Sequence, residues 1–175
     1  ALYDLSRTNL LSRDPEDANR LIQIGEQAAR GIEATLRAPI GEAVRVEASA
    51  AVLDARFERF DERVGSSVIS RRGNDPVASP ERIGTLWAYY SASPQLEFGL
   101  GVRGVGESAA NTANTLYLPG YATVDALIRY DAPFGRVSLR LRNLDDRVYA
   151  TRPYGTGQFM LGEPRWYELT WQRSF

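Results

Sequence analysis

Apolar and polar residues alternate along most of this chain. In the clearest run Val44, Val46, Ala48, Ala50 and Val52 alternate with Arg45, Glu47, Ser49, Ala51 and Leu53, predicting a strand that reaches about Phe57. Ala, Glu and Arg also favour helices, but a period of two held this long is a strand signature. The same pattern closes the chain, where Tyr167, Leu169, Trp171 and Phe175 share one face and Trp166, Glu168, Thr170, Gln172 and Ser174 the other. So aromatic an edge strand invites aggregation in water, whereas a closed barrel pairs it.

Eight strands follow from this pattern. They lie near Ala1–Leu11, Leu21–Ala38, Val44–Phe57, Arg82–Tyr90, Leu96–Val102, Ala122–Tyr130, Arg136–Arg142 and Arg165–Phe175. Gly25 and Gly31 interrupt the second and predict a bulge or a close backbone approach. The links alternate in length: long at residues 12–20, 58–80, 104–120 and 143–164, short at 39–42, 91–94 and 131–135. Antiparallel strands crossing a membrane give this rhythm, with short periplasmic turns and long extracellular loops. The fold class expected is all-β, an antiparallel transmembrane β-barrel wall. A soluble sandwich shares the alternation and is the competing reading.

Composition narrows the classes. Apolar content is 43%, and mean hydropathy is −0.33. No run of 18 apolar residues occurs, so no ordinary membrane helix is expected; a barrel keeps hydropathy low because half its wall faces water. The net charge of −1 argues against a nucleic-acid partner. Cysteine and histidine are absent, which removes disulfides, thiolate chemistry and the usual neutral-pH base. With no lysine either, no catalytic serine system can be assembled, and no enzyme is expected.

Several stretches resemble the C-terminal barrel portion of TonB-dependent outer-membrane receptors, particularly the ferric-siderophore branch. They are Ala1-Leu2-Tyr3-Asp4-Leu5 with Arg7, Thr8 and Asn9; Gly25-Glu26-Gln27-Ala28-Ala29-Arg30-Gly31-Ile32-Glu33; and Leu118-Pro119-Gly120-Tyr121-Ala122-Thr123-Val124-Asp125. The most specific pair is Leu141-Arg142-Asn143-Leu144-Asp145-Asp146-Arg147-Val148-Tyr149, then Gly162-Glu163-Pro164-Arg165 leading to Phe175. The resemblance implies that residues 1–175 are the last eight strands of a 22-stranded barrel, with an N-terminal plug domain absent from this chain. It also implies import of ferric-siderophore complexes with energy transmitted by TonB through a missing N-terminal region. Ala1 opens directly into strand-like sequence, so the chain is expected to be the end of a longer protein, and alone is not expected to transport. The alternatives are an autonomous eight-stranded barrel with a structural or adhesive role, or a receptor for cobalamin or carbohydrate.

The resemblance points to ligand contacts in the extracellular loops: Tyr117, Tyr149, Arg152, Tyr154, Phe159 and Met160 are the candidates, since aromatics pack on bulky chelates and arginine meets anionic ones. A loop cluster or an interfacial girdle explains the same residues. Glu33, Glu47, Glu97, Asp125, Arg136, Arg140 and Arg142 share inward parity and are expected to form a lumenal charge network. Phe175, Trp171 and Leu169 resemble the signal read by the barrel assembly machinery. Membrane lipids and lipopolysaccharide are the other expected partners. No cofactor or metal site is expected, because iron arrives already chelated. Asp145-Asp146 reads as a turn rather than a cation site, and Arg71-Arg72 as a solvated loop or a pair facing anionic surface lipid rather than an anion site.

Overall fold

The computed structural model describes residues 1–13, 21–155 and 157–173. These form strands β1 (Leu2–Arg13), β2 (Leu21–Ile40), β3 (Val44–Arg59), β4 (Asp61–Val64), β5 (Ser67–Ser70), β6 (Arg82–Ser93), β7 (Leu96–Val105), β8 (Ser108–Ala109), β9 (Tyr117–Leu118), β10 (Tyr121–Ala132), β11 (Gly135–Arg142), β12 (Ala150–Gly155), β13 (Gln158–Leu161) and β14 (Trp166–Gln172). Eight of them make one antiparallel sheet in the order β1-β2-β3-β6-β7-β10-β11-β14. Each wall strand pairs with the next one in the chain. Among the described residues the edges β1 and β14 do not pair with each other, and the sheet stays open.

The alternation sorts into the two faces as its period requires. On β3, Val44, Val46, Ala48, Ala50 and Val52 point one way and align with Tyr90, Ala88, Leu86, Gly84 and Arg82 of β6. The same face carries Leu36, Leu100 and Leu169, exposed by 57%, 56% and 71%, and no second sheet covers them among the described residues. A soluble sandwich would bury this face; lipid is the solvent it fits. The apolar stretch of β3 runs about nine residues, close to what a tilted strand needs to cross hydrocarbon. It ends at Asp54, beside the paired Arg30 and Asp4 on the neighbouring strands.

The two glycines of β2 take one role each. Gly25 pairs with Leu10 where the β1–β2 register slips, beside Asn9 with its φ of 60°. Gly31 faces Tyr3, whose ring occupies the space a Cβ would need.

The long links are more ordered than expected. The link 58–80 carries the hairpin β4–β5, 104–120 carries β8–β9, and 143–164 carries β12–β13. These segments are short and carry no sustained alternation, so periodicity does not reveal them. The first two links are also laced together. Ala78 N donates to the Ala109 carbonyl at 2.9 Å, Asn74 Nδ2 to the Thr112 carbonyl at 2.8 Å, and Thr112 Oγ1 to Glu62 at 2.7 Å. Arg71 is held by the same Glu62 carboxylate at 2.8 Å, which occupies it within the protein. Most of the buried apolar residues gather at this end: Ala55, Phe57, Ala109, Ala110 and Leu118. Phe57 stacks on Phe60 at 4.7 Å. The wall's outer face is left to the membrane, while the loop end holds a small core of its own.

Candidate functional site

The inner face of the sheet is polar and charged. Register places Glu47, Trp87, Gly101, Asp125, Arg142 and Trp166 in one row across six strands, with Arg45, Tyr89, Gly99, Leu127, Arg140 and Glu168 in the next. Gly101 and Gly99 have no side chain because the rings of Trp87 and Tyr89 lie over them; a Cβ at either position would press into the facing ring. Those two rings stack with centroids 5.6 Å apart. Arg45 sits 4.1 Å above the Tyr89 ring.

Arg45 also joins two of the expected lumenal acids. It meets Glu47, and its Nη2 reaches Glu97 at 3.2 Å. Arg129 completes the second carboxylate at 2.7 Å and Arg37 the first at 3.5 Å. The other expected members sit elsewhere. Arg136 is held by Asp131, its neighbour across the β10–β11 turn, through bonds of 2.5 and 3.1 Å. Arg142 lies 3.9 Å from Glu163 and over the Trp166 ring. Asp125 accepts the Asn143 backbone N–H at 2.9 Å. Glu33 and Arg140 form no ion pair among the described residues. Thus Glu47 and Glu97 belong to one cluster, whereas Arg136, Arg140 and Arg142 do not join it.

At the end of the sheet that carries the long loops, the loop 143–164 folds back on a single residue. Asn143 is 2% exposed with a φ of 50°, a conformation its short amide tolerates. Its Nδ2 donates to the carbonyls of Arg147 (2.9 Å) and Glu163 (3.0 Å), and its Oδ1 accepts from Arg147 N at 2.9 Å. Asp145 accepts Val124 N, and Asp146 accepts Arg165 N and pairs with its guanidinium. Both carboxylates therefore serve the turn. Tyr149 stacks on Tyr121 at 4.1 Å over the space left by Gly162. Burial first, then neighbouring Tyr121, pushes the Tyr149 phenol above its ordinary value.

From this base rises the β12–β13 hairpin. Arg152 pairs with Met160, its Nε 2.8 Å from the sulfur, and Phe159 pairs with Pro153. Tyr154 is strongly exposed. β12 also contacts β9, which carries Tyr117. Five of the six candidate ligand residues thus lie on two touching hairpins, and Tyr149 stands at the base of one of them. Asn143, Arg45, Arg37, Arg129, Asp131 and Glu163 are the working residues that composition alone does not single out. The tight turn at Asp131–Gly135 and the short β6–β7 turn fix the registers from which several of their pairings follow.

The family described as TonB dependent receptor-like, beta-barrel matches residues 1–144. This chain belongs to that family. Among its curated relatives, the ferrichrome outer membrane transporter/phage receptor of Escherichia coli K12 is 33% identical over 165 residues. That match covers 89% of this chain and 21% of the relative. The ferrioxamine receptor of Yersinia enterocolitica is 28% identical over 177 residues, covering 97% and 24%. Among solved structures, the siderophore receptor PiuA of Acinetobacter baumannii superposes with a TM-score of 0.79 at 25% identity, covering 96% of this chain and 24% of that one. The chain thus spans about a fifth to a quarter of the length of these proteins. Its strands belong in the bacterial outer membrane, and the family is one of transport receptors rather than enzymes. In this member of the family, the motif Asn143–Tyr149 with Gly162–Arg165 has a physical purpose: it ties both ends of the last loop to the wall.

Proposed function

We propose that residues 1–175 form the last eight strands of a 22-stranded wall in an outer-membrane receptor that imports ferric-siderophore complexes. A plug domain and a TonB-contacting segment outside this chain would transmit the energy. The observation that carries the reading is a lipid-facing apolar band backed by a polar inner face, on an open sheet that superposes over 96% of its length on a siderophore receptor. Ferrichrome, ferrioxamine and pseudopaline receptors among the relatives favour metal chelates over cobalamin or sugar.

In this reading Tyr117, Tyr149, Arg152, Tyr154, Phe159 and Met160 meet the chelate on the extracellular side. Glu47 and Glu97, with their arginines, brace the lumen. Trp171 and Leu169 offer outward side chains to lipid and to the assembly machinery; Phe175 lies outside the described residues. Lipopolysaccharide surrounds the outer rim.

The test is growth of an iron-starved strain lacking its other receptors and carrying the complete gene, supplied with hydroxamate, catecholate and carboxylate ferric siderophores. Rescue by at least one class, abolished when TonB is removed, is expected. No rescue by any class, with tight binding of a non-iron ligand to the purified receptor, would overturn the reading.

A further inference from the structure

The β12–β13 hairpin is weakly held for a segment that carries Arg152, Tyr154, Phe159 and Met160. Its strands pair Ala150 with Leu161, Arg152 with Met160, Pro153 with Phe159 and Gly155 with Gln158, and the register slips on either side of the middle two pairs. Pro153 has no N–H to give, and an isolated two-stranded hairpin is marginal in water. Every residue of β13 is exposed, so no core holds it. Side-chain bonds across the pair therefore matter more than usual. Thr151 Oγ1 donates to the Met160 carbonyl at 3.1 Å, and Arg152 Nε donates to the Met160 sulfur at 2.8 Å. A thioether is a weak acceptor, and no carboxylate competes for Arg152 among the described residues. Met160 is the chain's only methionine and is 37% exposed.

We propose that Met160 is an oxidation site whose sulfoxide is captured by Arg152, so that a peroxide at the cell surface stiffens this hairpin. One sulfur lone pair accepts from Arg152, and the second attacks an oxygen of the peroxide. The O–O bond breaks, and the S–OH proton passes to the departing hydroxide. The thioether is thereby oxidised by two electrons to the sulfoxide, and hydrogen peroxide is reduced to water. In a packed core this change is damaging, because a polar group replaces an apolar one. At Met160 there is no core to lose, and the new oxygen is a strong acceptor beside a guanidinium with further N–H groups to offer. The bond it takes is charge-assisted, roughly twice as strong as a neutral one. Arg152 is thus a positioning residue for the oxidised side chain. Under the uptake reading above, on which this last point alone rests, the oxidised hairpin presents Tyr154 and Phe159 to a chelate in one fixed arrangement.

The test uses the complete receptor in detergent, with hydrogen peroxide as the oxidant and mass spectrometry of proteolytic peptides to locate the sulfoxide. Amide hydrogen exchange across residues 150–161 is compared before and after oxidation in wild type, Arg152→Gln and Met160→Leu, each checked for folding by heat-modifiable migration. Sulfoxide at Met160 is expected in wild type and in Arg152→Gln. Exchange should slow threefold or more on oxidation of wild type and should not slow in Arg152→Gln or in Met160→Leu, which has no sulfur there. Methionine sulfoxide reductase should return wild type to its starting rate. A Met160 left unoxidised by peroxide that oxidises free methionine, exchange unchanged or faster in oxidised wild type, or equal slowing in either variant overturns the inference. So does slow exchange that survives the reductase. Growth on ferric siderophores is measured in parallel. No effect of peroxide on exchange with growth intact removes only this inference, whereas slowed exchange without chelate-dependent growth removes the uptake reading and leaves the site.

Discussion

The Asn143 amide donates to the Glu163 carbonyl across the loop 143–164, so one buried side chain closes a span of about twenty residues. Its second Nδ2 bond and its Oδ1 both go to Arg147, so replacing it leaves buried backbone groups without partners. Asn143→Ala is expected to cost about 2–3 kcal/mol, the desolvation of those groups exceeding the lost bonds. Urea titration of the refolded receptor in detergent measures it. Asn143→Gly, which suits the φ of 50° but supplies no side chain, should be nearly as damaging. Recovery with Gly would mean that backbone conformation, rather than the amide, is what matters there.

Trp87 and Gly101 form a second dependent pair. Gly101→Ala pushes a methyl group into the indole and is expected to destabilise by about 1–3 kcal/mol. Adding Trp87→Ala should relieve the clash. A double-mutant cycle read by the same titration should show a coupling of about 1 kcal/mol or more; strict additivity would disprove the contact.

The two faces of the wall should respond oppositely to charge. Leu86 lies in the middle of the outward band, while Thr35 faces inward. Leu86→Arg is expected to cost about 2–4 kcal/mol in a bilayer. Thr35→Arg should stay within about 0.5 kcal/mol. Equal costs would remove the assignment of faces.

Tyr149 supplies a pH test outside the membrane. Its phenol is raised above 10.0 by burial and by Tyr121, so the folded loop favours the neutral form. Stability from this packing is complete below the unfolded pKa near 10 and is lost as pH rises through the higher folded value. Absorbance titration at alkaline pH, with Tyr149→Phe as the reference, should show one phenol ionising late. A Tyr149 that ionises with the exposed tyrosines would refute its burial.

The wall itself was legible in the sequence because its outward positions, such as Leu36, Ala48, Leu86 and Leu100, must all meet one apolar solvent, and that demand writes a strict period of two. Inward pairings were not legible. Parity tells which face Arg136 occupies, but not that Asp131, across its own turn, captures it before any more distant acid. Arg45 shows the same limit: it reaches Glu97 two strands away, a contact that only the combined registers of β3, β6 and β7 produce. The hairpins in the long links escaped for another reason. β4–β5 and β12–β13 have four to six residues per strand and no buried row, so nothing in their hydropathy repeats. The recognisable motif around Asn143 stood out as a likeness before its hydrogen bonds explained it.

The aromatic rings laid against Gly99 and Gly101 also set how much room the pore has. A ring standing upright would project well into the interior; lying flush, it adds only its own thickness to the partition. The partition is therefore thin along this side, and whatever fills the interior can approach the glycine backbone more nearly than upright rings would allow.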